Sequence, residues 1–223
     1  MRVLAVETST LAGGVALLEG NRLVAEYVLD VSVTHSERLM AAVERALQDA
    51  RWAAEDLQGL VVAIGPGSFT GLRIGVSTVK GLALALEIPV APVPTLDGLA
   101  RRVPFAALPV CPVLDARKNE VYASRYRWDG DAMRREWEYL ALAPDVLAGR
   151  LDEPTILIGD GAASIASPHA RMAPPWLSVP SPAAVGFLGL ERLRAGDVVK
   201  PAELTPRYLR PSQAELKRRA ANR

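Results

Sequence analysis

Three carboxylates stand where an apolar stretch stops: Glu7 in LAVETST, Asp115 in PVLDARK and Asp160 in LIGDGA. A carboxylate at the end of a buried strand can hold a metal-bound phosphate or act as a general base, once its surroundings set its protonation. Thr8 and Ser9 would add hydroxyls beside Glu7. Between these acids runs AIGPGSFTGLRIGVSTVKGLALAL at 63–86, where Gly65, Gly67 and Gly71 open a long apolar helix. Neither phosphate-loop register fits it. The second glycine of a Walker loop and the third of a dinucleotide fingerprint would both fall on Thr70, and no lysine comes next. Free amides at the helix start could still accept an anion. Other chemistry finds less support. The two histidines, His35 and His169, are far apart, and Cys111 sits within an apolar run. There is no Gly-x-Ser-x-Gly elbow for a nucleophilic serine.

Periodicity supplies the strands and helices that would hold these groups in place. RVLAVET at 2–8 is nearly all apolar, as in a strand buried on both faces. GGVALLEG and RLVAEYVLD, divided at Gly20-Asn21, complete a three-strand meander. Thr34 to Glu37 fits a capping box for a first helix at about 35–50, with Leu39, Met40, Val43, Ala46 and Leu47 as its apolar stripe. GLVVAIG, a helix at about 69–87, IPVAPV and a helix from Thr95 to about Val103 come next. The order β-β-β-α-β-α-β-α is the unit of the ribonuclease-H-like, actin-like (ASKHA) α/β fold.

A second, eroded copy begins at PVCPVLDA. EVYASRYRW, REWEYLAL and TILIGDG read as its strands, and 182–196 reads as a helix capped by Ser181 and ended by Gly196. The expected division is 1–105 and 106–212, with a basic tail at 213–223.

Two stripes mark the helix at 69–87. Leu72, Val76, Val79, Leu82, Ala83 and Leu86 suit a sheet. Ser77, Gly81 and Ala85 make a line of small side chains. Interior helical glycines cost about 0.5–1 kcal/mol each, so close backbone approach is the expected return. The pattern leaves open whether the approaching surface belongs to the same chain or to another.

The 223-residue chain is half hydrophobic and carries a formal net charge of +1, which excludes a bulk polyanion binder. Its single cysteine suits a reducing cytosol. The start has too short an apolar run for a secretory signal, and Lys80 and Pro89 interrupt the most apolar segment. A cytoplasmic protein without a membrane span is the expectation.

VETST, HSERLM, GPGSFTGLRIGVSTVKGLALAL, LDARKNEVYA, LIGDGA and PRYLR together resemble the TsaB (YeaZ) family. The resemblance implies a non-catalytic subunit in tRNA threonylcarbamoyladenosine biosynthesis. Such a subunit works with a TsaD-like catalytic partner and a TsaE-like ATPase, and self-associates as a homodimer when alone. It also implies that the first two helices form the partner face, through His35, Leu39, Val43, Arg73, Ser77, Lys80, Gly81 and Ala85.

The catalytic relative carries His-x-x-x-His on its third helix. Thr95 and Leu99 stand there in this chain, and leucine cannot ligate a metal. Neither metal nor cofactor is therefore expected. Glu7, Thr8, Asp115 and Asp160 are the candidates for any residual nucleotide binding, and an actin-like small-molecule kinase or ATPase is the alternative. Peptide hydrolysis, an older association of this family, has no support in these residues. The basic end LKRRAANR is either a solvated tail or a contact for tRNA phosphates.

Overall fold

The computed structural model describes residues 1–30 and 35–210, with side chains from Glu37 onward in the second stretch. The Thr34 cap, the His35 side chain and the tail at 213–223 lie outside the described residues.

The first sheet holds β1 (Arg2–Glu7), β2 (Gly13–Glu19), β3 (Arg22–Leu29), β4 (Gly59–Gly65) and β5 (Val90–Pro94), in the order β3-β2-β1-β4-β5. β1 runs antiparallel to β2 and parallel to β4, and β4 runs parallel to β5. Between Arg2 and Glu7, β1 is apolar because both its faces are covered. Leu4 and Val6 pack under α1 (His35–Ala50) and α2 (Phe69–Leu86), while Val3 and Ala5 pack under α5 (Pro182–Ala195). β4 splits in the same way, with Leu60, Val62 and Ile64 facing α2 and Val61 and Ala63 facing α5.

α2 starts where the Ser68 hydroxyl accepts the Gly71 N–H at 3.2 Å. It ends at Glu87 in the left-handed region, two residues before Pro89. Burial of Leu72, Val76 and Val79 contributes roughly 1.5–3 kcal/mol per side chain to its docking. Among the described residues α2 is the one helix whose length and composition would allow it to cross a membrane. Its place here is on the first sheet.

The second sheet repeats the pattern. β6 (Val110–Arg117), β7 (Glu120–Ala123), β10 (Leu140–Leu142), β11 (Thr155–Ile158) and β12 (Ala170–Met172) lie in the order β10-β7-β6-β11-β12. β8 (Tyr126–Trp128) and β9 (Met133–Arg135) form a hairpin that joins β6 through a single pair, Val110 with Tyr126. The strands read from 120–128 and 135–142 are therefore each broken. The break falls at Ser124-Arg125, where the Ser124 hydroxyl donates to the Trp137 carbonyl and the Arg125 carbonyl accepts the Glu136 N–H. Of the helical layer, the second half keeps α4 (Pro144–Arg150). A three-residue turn, Ala162–Ser164, stands where the first half has α2.

The third helices change sides. α3 (Thr95–Ala100), which runs out through turns at Arg101 and Arg102 ahead of Pro104, packs Leu96, Leu99 and Ala100 against Val110, Leu114 and Ile158 of the second sheet. α5, counted with the second half by its place in the chain, lies on the first sheet. Gly189 makes this possible, since a Cβ there would sit 2.1 Å from Val61 Cγ1. The Ser181 hydroxyl accepts the Ala184 N–H and donates to Glu26 of β3, which ties the start of α5 to the first sheet.

Candidate functional site: a sealed carboxylate, an open cleft and an open helical face

Glu7 ends β1 with none of its surface exposed. Its Oε1 accepts the Ser9 N–H at 2.6 Å, and its Oε2 has no hydrogen-bond partner among the described residues. Burial pushes the carboxyl up from 4.5 to about 7, against a lowering pull from Ser9. What covers it is the glycine loop. The Ser68 N–H donates to the Ser9 carbonyl at 2.6 Å, and a Cβ on Gly67 would lie 2.3 Å from that oxygen. Thr8 is fully buried and donates its hydroxyl to the Gly71 carbonyl at 2.8 Å, beneath Gly75. Glu7 and Thr8 are thus taken up in seating α2.

The open part of the cleft, of about 390 Å³, lies between this loop and the ends of β6 and β11. Asp115 and Asp160 meet there, the Asp115 N–H donating to Asp160 Oδ1 at 2.9 Å. Burial raises the Asp160 carboxyl above its ordinary value, and the backbone N–H of Asp115 opposes this. Asp115 is exposed and holds its own turn, accepting the Arg117 N–H at 2.8 Å and pairing with the Arg117 guanidinium at 3.2 Å. The cleft gathers Asp115 and Asp160 but leaves Glu7 behind the loop.

A C-terminal strap closes one side. The Arg207 N–H donates to the Ile64 carbonyl, Tyr208 stacks on Phe69 at 4.7 Å, and Arg210 pairs with Glu120. Arg73 lies over Phe69 and donates to the Tyr208 hydroxyl at 3.1 Å. Lys80 reaches the Ala202 carbonyl at 3.5 Å. No sequence signal joined this strap to the glycine loop.

The outer side of α2 is open. Ser77, Gly81 and Ala85 are exposed, Leu84 is 68% exposed, and a Cβ on Gly81 would meet nothing within 4 Å among the described residues. α1 lies beside α2. Here the expectation needs correcting: Leu39 and Val43 belong to the core, 3% and 2% exposed, because they point at the sheet. The outward residues of α1 include Met40, Ala41 and Glu44, with Met40 half exposed. The stripe rule found α1's apolar side but could not separate its outward members.

Two sheets of order 3-2-1-4-5, each with a carboxylate on the central strand, define an actin-like ribonuclease-H-type protein. The family model described as TsaD, tRNA N6-adenosine threonylcarbamoyltransferase, matches residues 29–161. The TsaB protein of Bacillus subtilis, a tRNA threonylcarbamoyladenosine biosynthesis protein, is 35% identical over 97% of both chains. The solved YeaZ of Pseudomonas aeruginosa superposes with a TM-score of 0.82 at 30% identity, covering 93% of this chain and 99% of that one. The activator of the 2-hydroxyisocaproyl-CoA dehydratase from Clostridium difficile shares the fold, with a TM-score of 0.50 at 10% identity. The chain belongs to the TsaB (YeaZ) family.

Proposed function

We propose that this chain is a non-catalytic subunit in tRNA threonylcarbamoyladenosine biosynthesis, and that it docks a TsaD-like catalytic subunit on the outer face of α1 and α2. A TsaE-like ATPase completes the assembly, and the same face pairs two copies when the partner is absent. The observation that carries this reading is the open stripe at Ser77, Gly81 and Ala85 beside Leu84. Glycine and alanine there let a second helix approach closely, and a leucine left in water gains by being covered. The role in threonylcarbamoyladenosine biosynthesis is carried over from the names of the relatives. A sealed Glu7 and leucine at position 99 support a supporting rather than a catalytic part.

Co-purification with the host's TsaD-like protein, followed by a modification assay with and without this chain, tests the reading. Gly81→Leu should abolish pairing while the monomer stays folded. Turnover by this chain alone would overturn the reading.

The open cleft with Asp115 and Asp160 favours a second reading, an actin-like kinase or ATPase. Titration calorimetry with ATP and magnesium decides it: micromolar binding lost on Asp160→Ala would move the function to the cleft.

A further inference from the structure

A second cavity, of about 490 Å³, opens between α5, the ends of β4 and β5, α3 and the β8–β9 hairpin. Its wall carries four guanidinium side chains, Arg101, Arg135, Arg192 and Arg207, and one carboxylate, Asp97. That carboxylate is already engaged, its Oδ1 accepting the Tyr126 hydroxyl at 2.6 Å and the Tyr139 hydroxyl at 2.7 Å. Burial, with Asp97 second, holds both phenols well above the usual tyrosine range, so they remain neutral donors.

The arginines are less well matched. Arg101 pairs with Glu191 at 2.8 Å. Arg192 donates to the Pro92 carbonyl at 2.6 Å and comes no closer than 3.8 Å to Asp197. Arg135 pairs loosely with Glu138, at 3.8 Å, lies 4.3 Å over the Tyr139 ring, and also feels the Tyr139 hydroxyl and the Asp97 charge. Arg207 lies 5.0 Å over the same ring, and among the described residues it has no carboxylate within 4 Å.

Two guanidiniums laid on one ring, with Arg101 and Arg192 in the same wall and one carboxylate there that two phenols already engage, form an arrangement that an anion would relieve. Guanidinium forks match the oxygens of phosphate in pairs. Tyr139 fixes the two forks that have the fewest partners, which lowers the ordering cost of binding.

We propose that this cavity binds a phosphate group through Arg135 and Arg207, with Arg192 behind them. The phosphate belongs either to a small phosphorylated molecule or to the backbone of an RNA. The site stands apart from the α1–α2 face and does not depend on docking there.

The test uses the full chain, with calorimetric titration of inorganic pyrophosphate and anisotropy of labelled tRNA at about 50 and about 200 mM salt. Pyrophosphate should bind, and R135Q/R207Q should weaken it at least tenfold. Arg134→Gln, on the same strand but paired with Asp129, should leave it unchanged. An RNA source is shown if the double change also weakens tRNA binding and flattens its salt dependence by about one to two phosphates. A small-molecule source is shown if pyrophosphate binding falls alone. R135K/R207K keeps the charges without the forks and should recover only part of the affinity. If the double change lowers the melting temperature, R207Q at an exposed side chain carries the test. Pyrophosphate and tRNA binding that are both absent, or both indifferent to these arginines, would overturn the proposal.

Discussion

The two halves lay down strands in the same order and treat the carboxylate of the central strand in opposite ways. In the first half Glu7 ends β1 with no surface exposed, under a loop whose Ser68 N–H donates to Ser9. In the second half Asp115 lies open on β6 and holds its own turn through Arg117. The difference traces to the segments that leave β4 and β11, the equivalent strands of the two sheets. After β4 comes an 18-residue helix whose glycine loop sits down on the strand ends. After β11 comes a three-residue turn that leaves the cleft uncovered. In the proposed role, the helix whose outer face would receive a partner is the same helix whose glycine loop closes over Glu7, so one element would serve both docking and the burial of that carboxylate.

The largest effect should come from the sealed acid. Glu7 titrates near 7 in the folded chain and near 4.5 when exposed. Between those values the folded chain keeps a proton that the unfolded chain has released. Stability therefore falls as pH rises through this window and levels above it, by on the order of 3 kcal/mol. Glu7→Gln cannot ionise, so the variant should gain on the parent by that amount across the window. Urea unfolding of both proteins at a series of pH values measures the gap. Parallel curves would mean that Glu7 reaches water.

Next comes the side exchange of α5. Gly189→Ala places a methyl against Val61 and should cost about 1–3 kcal/mol in denaturant midpoint stability. Stability equal to the parent would show that α5 can lift off the first sheet, and the two halves would then be more independent than their packing indicates.

The element order of the first half, the starts of α2, α3 and α5 and the eroded repeat could be read from the sequence because apolar periodicity and capping residues are local signals, whereas the short α4 and β12 gave too little periodicity to be read. The buried stripe of α2 was legible for the same reason: Leu72, Val76, Val79 and Ala83 recur at helical spacing. The side on which α3 and α5 pack was not, because either helix shows apolar residues suited to either sheet. Leu39 and Val43 illustrate the same limit, since periodicity identifies an apolar face without saying which neighbour it meets. Glu7 was legible as a candidate but its burial was not. That depends on a contact between positions 9 and 68, which no spacing rule reaches. The arginine cavity draws its members from 101, 135, 192 and 207, too scattered to form a motif.

A smaller effect, of opposite sign, separates the two helical glycines. Gly81 faces open space where Gly189 faces Val61. Gly81→Ala should therefore raise the thermal stability of the chain, diluted until it is monomeric, by about 0.5–1 kcal/mol, through backbone entropy alone. A loss in its place would mean that the stripe at Ser77, Gly81 and Ala85 packs against its own protein, and the proposed docking face would go with it.

The smallest effect should be at the open carboxylate, and its smallness is informative. Asp115 pairs with Arg117 across a solvated turn, where an exposed ion pair contributes little and water replaces a lost hydrogen bond. Asp115→Asn keeps an oxygen able to accept the Arg117 N–H, so its stability should stay within about 0.5 kcal/mol of the parent in denaturant unfolding. Set beside Glu7→Gln, the same carboxyl-to-amide change on the equivalent strand of the other half would then read several-fold smaller. A large cost at Asp115 would show that its carboxylate organises the cleft with Asp160, and the second half would be retaining a charge arrangement that the first half has buried.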